Sequence, residues 1–145
     1  MLPSGATAFD EDLPGVARLD ADLLSALRQA TADAADDEYT LWISIGRRST
    51  AYQNHLREQA VDEHGSAEEA ARWVATAETS THVIGEAVDI TPDDAIDWLS
   101  RHGDAYGLCQ TYGNESWHFE LRPDAPEDGC PTPYPDAAHD PRWQR

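Results

Sequence analysis

Apolar residues recur at helical spacing from Val16 through Leu19, Leu23, Leu24, Leu27, Ala30 and Ala34. The spacing predicts one amphipathic helix that ends in the acidic turn Asp36–Glu38. The period then changes to two: in "YTLWISI", Tyr39, Leu41, Ile43 and Ile45 alternate with Thr40, Trp42 and Ser44, which predicts a strand. "GRRSTAYQ" follows as a turn, Ser49 is placed to cap a helix reaching about His64, and Gly65 is its stop. Ser66 and Glu69 form a capping box for a further helix in "AEEAARWVA".

The stretch Thr79–Ile90, "TSTHVIGEAVDI", reads as strand-like, its "EAVDI" part as a strand proper. Thr91-Pro92-Asp93-Asp94 carries a capping hydroxyl, a first-turn proline and two carboxylates at the positive end of the dipole, predicting a helix that stops near Gly103. "LCQTYGNESWHFEL" reads as two short strands around Gly113-Asn114. The first fifteen residues form an extended lead-in, and the six prolines from Pro123 to Pro141 mark an irregular tail. Helices and strands alternate unevenly, with a hairpin late in the chain. The expected fold class is α+β, a small and mainly antiparallel sheet with helices packed on it. One domain is expected over 1–145, with its core at about 16–122 and a Pro-rich tail at 123–145.

A chain of 145 residues that is 40% hydrophobic is long enough to bury a real core in one domain. Its 28 acidic residues outweigh 10 basic ones, for a net charge of −18. A broad basic surface for nucleic acid is excluded, because phosphates would be repelled. The acidity reads as solubility, with attraction of a cationic partner as the alternative. No apolar run is long enough for a membrane span, so no membrane insertion is expected. "MLPSGATAFDEDLPG" has neither a basic n-region nor an apolar h-region and is not a signal peptide. The chain is either cytoplasmic or a mature domain whose leader is absent. Cys109 and Cys130 lack metal-ligand spacing; they form either one disulfide tying down the tail, which would favour an oxidising compartment, or two buried thiols.

Side-chain alternation supplies the candidate chemistry. In "AVDI", Val88 and Ile90 share one face and Ala87 and Asp89 the other; in "SWHFEL", Trp117, Phe119 and Leu121 oppose His118 and Glu120. His82, Asp89 and His118 together would make a two-histidine, one-carboxylate site of the kind that holds catalytic zinc with one open position. Glu115, three residues before His118 in the turn, could reach a water there as general base. Glu120 reads as an outer partner of the metal site or a solvent-facing residue. None of these residues is convincing singly: a lone histidine is more often hydrogen-bonded than ligating, and Asp89 could cap the turn at Thr91.

Taken together, the motifs resemble a known family. "SIGRRSTAYQ", "STHVIGEAVDI" and "NESWHFE", in this order, resemble the zinc D-alanyl-D-alanine carboxypeptidases and dipeptidases of the VanY type. The pattern S-x-H-x-x-G-x-A-x-D is matched by Ser80, His82, Gly85, Ala87 and Asp89. E-x-W-H is matched by Glu115, Trp117 and His118, and G-x-R-S followed by Y-Q by Gly46, Arg48, Ser49, Tyr52 and Gln53. The likeness runs from roughly Val16 to Cys130. It implies the hedgehog/D-Ala-D-Ala peptidase fold, Zn2+ held by His82, Asp89 and His118, Glu115 as catalytic base, and Arg48 as the cation facing the scissile carbonyl. Ser80 and Gln53 are implied as substrate-binding groups. Two positions depart from the pattern: Ile45 stands where the family usually has serine, and Arg47 where it has an aromatic, which adds a rival to Arg48.

The resemblance implies hydrolysis of the terminal D-Ala of cell-wall peptides. A dipeptidase or endopeptidase using the same site is an alternative, as is a zinc-containing module that binds such peptides without cleaving them; a metal-free acidic interaction domain is a third class. The segment between Gly65 and Ser80 is expected to build a wall of the cleft. A monomer is expected, and the substrate points to the cell envelope.

Overall fold

The computed structural model describes residues 2–75 and 80–142. Its helices are Pro14–Ala17 (α1), Ala21–Asp36 (α2), Thr50–His64 (α3), Ala67–Ala70 (α4), Asp93–His102 (α5) and Ala125–Asp128 (α6). Its strands are Trp42–Ile45 (β1), Ala87–Thr91 (β2), Leu108–Tyr112 (β3) and Glu115–Leu121 (β4). The strands form one sheet in the order β1-β2-β4-β3, every neighbouring pair antiparallel. The α+β class with a small antiparallel sheet is the one read from the sequence.

Local signals account for much of this layout. The Ser49 hydroxyl accepts from the Tyr52 N–H at 3.0 Å at the head of α3, and Gly65 closes it with φ 79°. Ser66 accepts from the Glu69 N–H at 3.1 Å, although α4 stops at Ala70 and the rest of "AEEAARWVA" continues as turns. The helix expected from Val16 is two helices. Between them the Asp20 carboxylate accepts from the N–H groups of Asp22 and Leu23, both at 3.2 Å, and so caps α2. Losing such a cap costs about 1 kcal/mol. Thr91 is also corrected: it pairs with Trp42 as the last residue of β2, and α5 starts without a side-chain cap.

One sheet face carries the core. Ile43, Val88, Ile90 and Phe119 project from it against Leu23 and Leu27 of α2 and Trp98 and Leu99 of α5. Phe119 is fully buried, and truncating it to alanine would cost about 3–5 kcal/mol. The registers Val88↔Phe119 and Asp89↔His118 then place the polar partners of these core residues on the opposite face.

The C-terminal stretch, expected to be irregular, includes α6 and a 3₁₀ turn at Ala137–His139, and several contacts tie down its described part, which ends at residue 142. Cys109 and Cys130 are disulfide-bonded across a sequence separation of 21. A closure of that length is worth about 3 kcal/mol in the chain-entropy account. Tyr134 adds a parallel bridge beside β3, donating its N–H to the Thr111 carbonyl at 2.8 Å and accepting from the Gly113 N–H at 2.7 Å. Buried Asp136 accepts from Arg72 Nε at 2.9 Å.

Candidate metal centre

His82 lies in the turns that precede β2, not on a strand. The Val83 N–H donates to the Ser80 carbonyl, that of Gly85 to His82 and that of Glu86 to Thr81. The strand-like reading of this part of the stretch is therefore replaced by a compact loop. Thr79, the first residue of the stretch read as strand-like, lies outside the described residues. Gly85 permits the loop to close: its φ is 77°, and a Cβ there would meet the Arg18 carbonyl oxygen at 2.7 Å. Gly46 is equally constrained, since a Cβ would fall 2.1 Å from the Gly15 oxygen. That close approach leaves the Gly46 carbonyl 3.1 Å from His82 Nδ1.

The sheet brings in the other two groups. Asp89 and His118 are direct partners in the β2–β4 register. Asp89 Oδ1 lies 3.2 Å from His82 Nε2 and 3.5 Å from His118 Nδ1, and the imidazole planes are 87° apart. All three residues are buried, and their ligand atoms lie within 4.8 Å of one another. Asp89 Oδ1 accepts no well-aligned hydrogen bond among the described residues. Each imidazole spends its other nitrogen on an outer partner: His82 Nδ1–H donates to Gly46, and His118 Nε2–H to Glu120 Oε2 at 2.8 Å. Those bonds leave the other nitrogen of each imidazole facing the buried carboxylate. This donor set fits a small divalent cation of zinc type, with outer acceptors orienting each imidazole.

For His118, burial lowers the imidazole, but its hydrogen bonds to Asp89 and Glu120 outweigh that and raise it to about 9, so a bound cation would take the place of its proton. Burial alone would raise the Asp89 carboxyl, yet the two imidazoles hold it well below the usual carboxylate range. Burial pushes His82 toward its neutral form. Glu120 is not solvent-facing: it is buried, and its bond to His118 and its approach to Arg142 outweigh burial and keep it ionised.

A cavity of about 180 Å³ opens beside the cluster, lined in part by Arg48, Ser80, Thr81, Trp73 and Glu115. Glu115 is the first residue of β4, not part of the turn, and its Oε2 stands 4.0 Å from His118 Nδ1. Burial is the main cause that pushes its carboxyl up to about 7; His118 and Arg48 pull it back, while Asp89 and Glu120 add to the rise. Such a carboxyl can exchange a proton near neutral pH. Arg48 Nη1 donates to Gln53 Oε1 at 3.0 Å, and its Nε is buried without a hydrogen bond among the described residues. Burial lowers the guanidinium from its ordinary value, against the pull of Asp89 and Glu115. Arg47 instead donates from Nε to the Val83 carbonyl at 3.2 Å, so Arg48 is the arginine at the cavity beside the cluster.

Ser80 is buried at the cavity wall. Gln53 is also buried there, but both ends of its amide are engaged, by Arg48 and by the Ala75 carbonyl at 2.6 Å. The segment from Gly65 to Ser80 contributes Trp73, Val74 and Ala75 to the wall; 76–79 lie outside the described residues. Sequence reasoning passed over Thr81, whose hydroxyl donates to Glu120 Oε2 at 3.1 Å, and Arg142, whose Nη1 donates to Glu120 Oε1 at 2.9 Å. No helix among the described residues is long and apolar enough to cross a membrane.

Comparison with known proteins gives the following. A family model described as D-alanyl-D-alanine carboxypeptidase, VanY, matches residues 16–124. A D-alanyl-D-alanine carboxypeptidase of Enterococcus faecalis is 30% identical over a match taking in 61% of this chain. The same match takes in only 42% of that protein, so the chain spans less than half the length of this curated relative. A zinc complex of a mutant vancomycin-resistance D,D-pentapeptidase VanY superposes with TM-score 0.68 at 22% identity, covering 77% of this chain and 80% of that one. VanYB bound to D-alanine-D-alanine gives TM-score 0.69 at 22% identity, covering 77% and 78%. The L,D-carboxypeptidase LdcB gives TM-score 0.69 at 21% identity, covering 86% and 69%. At these identities the solved structures are similar to this chain in fold.

Proposed function

We propose, from the premise that the chain belongs to the VanY family of D-alanyl-D-alanine carboxypeptidases, that it is a zinc peptidase removing the terminal D-Ala of peptidoglycan-type peptides. The observation that carries the reading is the convergence of His82 Nε2, Asp89 Oδ1 and His118 Nδ1 in a buried pocket, with Glu115 and Arg48 at the same cavity. The zinc complex of the VanY neighbour and the D-alanine-D-alanine complex of VanYB support the choice of metal and substrate.

His82, Asp89 and His118 would hold the ion. When bound, zinc would supply a Lewis acid and lower the pKa of water. The chain's own groups do the rest. Glu115, with a carboxyl poised near neutrality, accepts a proton from the attacking water and delivers it to the leaving amine of D-Ala. Arg48, held by Gln53, presents a fixed guanidinium to the charge that develops on the scissile carbonyl oxygen. Ser80, at the cavity wall, is placed to bind the substrate's peptide or terminal carboxylate. A module that only binds such peptides would have no need of Glu115 beside the cluster.

The test is release of D-alanine by zinc-loaded protein from three substrates: D-Ala-D-Ala, a pentapeptide ending in it, and intact peptidoglycan. Release from the pentapeptide above that from the dipeptide supports a carboxypeptidase; the reverse order supports a dipeptidase. Zinc-loaded protein that binds the pentapeptide yet releases no D-alanine overturns the reading.

A further inference from the structure

His118 can present Nδ1 to the cluster only while Nε2–H is held on its other side, and the group that holds it is Glu120. Glu120 is a carboxylate that is only 2% exposed, so its own charge needs a partner. The partner comes from the far end of the chain. Arg142 Nη1 donates to Glu120 Oε1 at 2.9 Å, while Arg122 Nη2 is 3.9 Å away. The Arg142 guanidinium is set in turn by Asp140, to whose two oxygens Nε donates at 3.0 Å. Asp140 has no exposed surface and accepts from the Tyr112 hydroxyl at 2.8 Å. The Tyr112 ring closes the circuit, with its centroid 4.9 Å from that of His118.

We infer that residues 134–142 form a strap that fixes the orientation of His118 through Glu120, with Arg142 and Asp140 as positioning residues for the metal site. The inference rests on the zinc reading above and extends it to a segment that carries no ligand. The strap is anchored at both ends. Cys130 ties its approach to Cys109, which is the β3 partner of Glu120 itself, and Asp136 grips Arg72 on the way. Ala137, midway along it, lines the cavity beside the cluster. Removing Arg142 would leave Glu120 a buried anion leaning on His118 and Thr81, with Arg122 Nη2 still 3.9 Å away. An outer partner that holds a ligand directly, as Glu120 holds His118, is worth roughly 10- to 100-fold in metal affinity, and Arg142 acts through it. By reciprocity, whatever the strap adds to zinc binding, zinc must add to the strap.

The experiment measures the zinc dissociation constant by competition with a chromophoric chelator for the wild type, Arg142→Met and Arg142→Lys. Circular dichroism of the metal-free proteins checks the fold. Weakening of about tenfold or more in Arg142→Met, partly restored in Arg142→Lys, is expected. Unchanged affinity in a folded Arg142→Met overturns the strap while leaving the zinc reading intact. A wild type that takes up no zinc overturns both. Should Arg142→Met fail to fold, hydrogen exchange on the wild type decides the matter. Zinc should slow the amides of Tyr134, His139 and Asp140 while leaving that of Asp36, at the C-terminal end of α2, unmoved. Equal exchange with and without zinc at those three amides overturns the strap.

Discussion

Asp89 and His118 sit opposite each other in the β2–β4 ladder, with Oδ1 3.5 Å from Nδ1. Because two inner strands of the sheet hold them, neither group needs a loop to place it. Replacing Asp89 by Asn keeps the shape and removes the charge that a cation would meet. Zinc content after dialysis should fall well below one per chain, and affinity should drop by more than the roughly 10- to 100-fold typical of losing an outer partner.

Glu115→Ala should separate binding from chemistry. Zinc uptake is expected to persist, because Glu115 lies 4.0 Å from His118 Nδ1 and outside the three converging atoms. D-alanine release should fall by roughly 10²- to 10⁴-fold, the usual worth of a positioned general base. Single-turnover release together with metal analysis checks both halves. Undiminished release removes Glu115 from its role.

Arg48→Ala should lower kcat by roughly 10²- to 10³-fold, the scale of losing one oxyanion donor. Gln53→Ala removes the acceptor that holds Nη1 and should give a smaller loss of the same kind. Steady-state kinetics on a D-Ala-terminated pentapeptide distinguish this from loss of binding alone, which would appear mainly in KM.

Reduction of the Cys109–Cys130 bridge should lower the thermal midpoint by on the order of 10 °C, since the closure contributes about 3 kcal/mol in a domain of this size. Differential scanning calorimetry with and without reductant measures it, and an unchanged midpoint would show that the tail is held by its polar contacts.

Acid should weaken the C-terminal segment. Burial alone would raise the carboxyls of Asp136 and Asp140, but hydrogen bonds outweigh it, from His139 and Arg72 at Asp136 and from Arg142 and Tyr112 at Asp140. Both groups therefore titrate lower in the folded chain than in the unfolded one. Their stabilisation is present above the unfolded value of about 3.9 and is lost as pH falls through the folded values. Thermal midpoints measured from pH 6 down to pH 2 should drop, with a shallower drop in Asp136→Asn.

Elements were legible in the sequence where their signals are local. The helix Thr50–His64 begins at Ser49 and ends at Gly65 as read, because its cap and its stop lie within it or one residue away. The break at Asp20 was hidden, since apolar spacing runs straight through it, and its N–H is claimed by the Gly85 carbonyl far along the chain. The turns from Ser80 to Glu86 carry β-like residues but are bent by contacts with the Arg18 and Gly46 backbones. The cluster residues themselves were marked by ordered motifs. Thr81 and Arg142 were not, because their common partner Glu120 lies 39 and 22 residues away and no periodicity encodes a long-range ion pair.

The placement of Asp89 and His118 on the two inner strands has a consequence for how the chain reaches its native state. In a sheet, slipping one strand by a single residue exchanges its faces. Such a slip of β4 would bury His118 among Val88, Ile90 and Leu27 and turn Phe119 toward the cavity. The ligand triangle is thus a key cut to one register, and metal uptake during refolding becomes a readout of correctly paired chains, because a mispaired one has nothing to offer the ion.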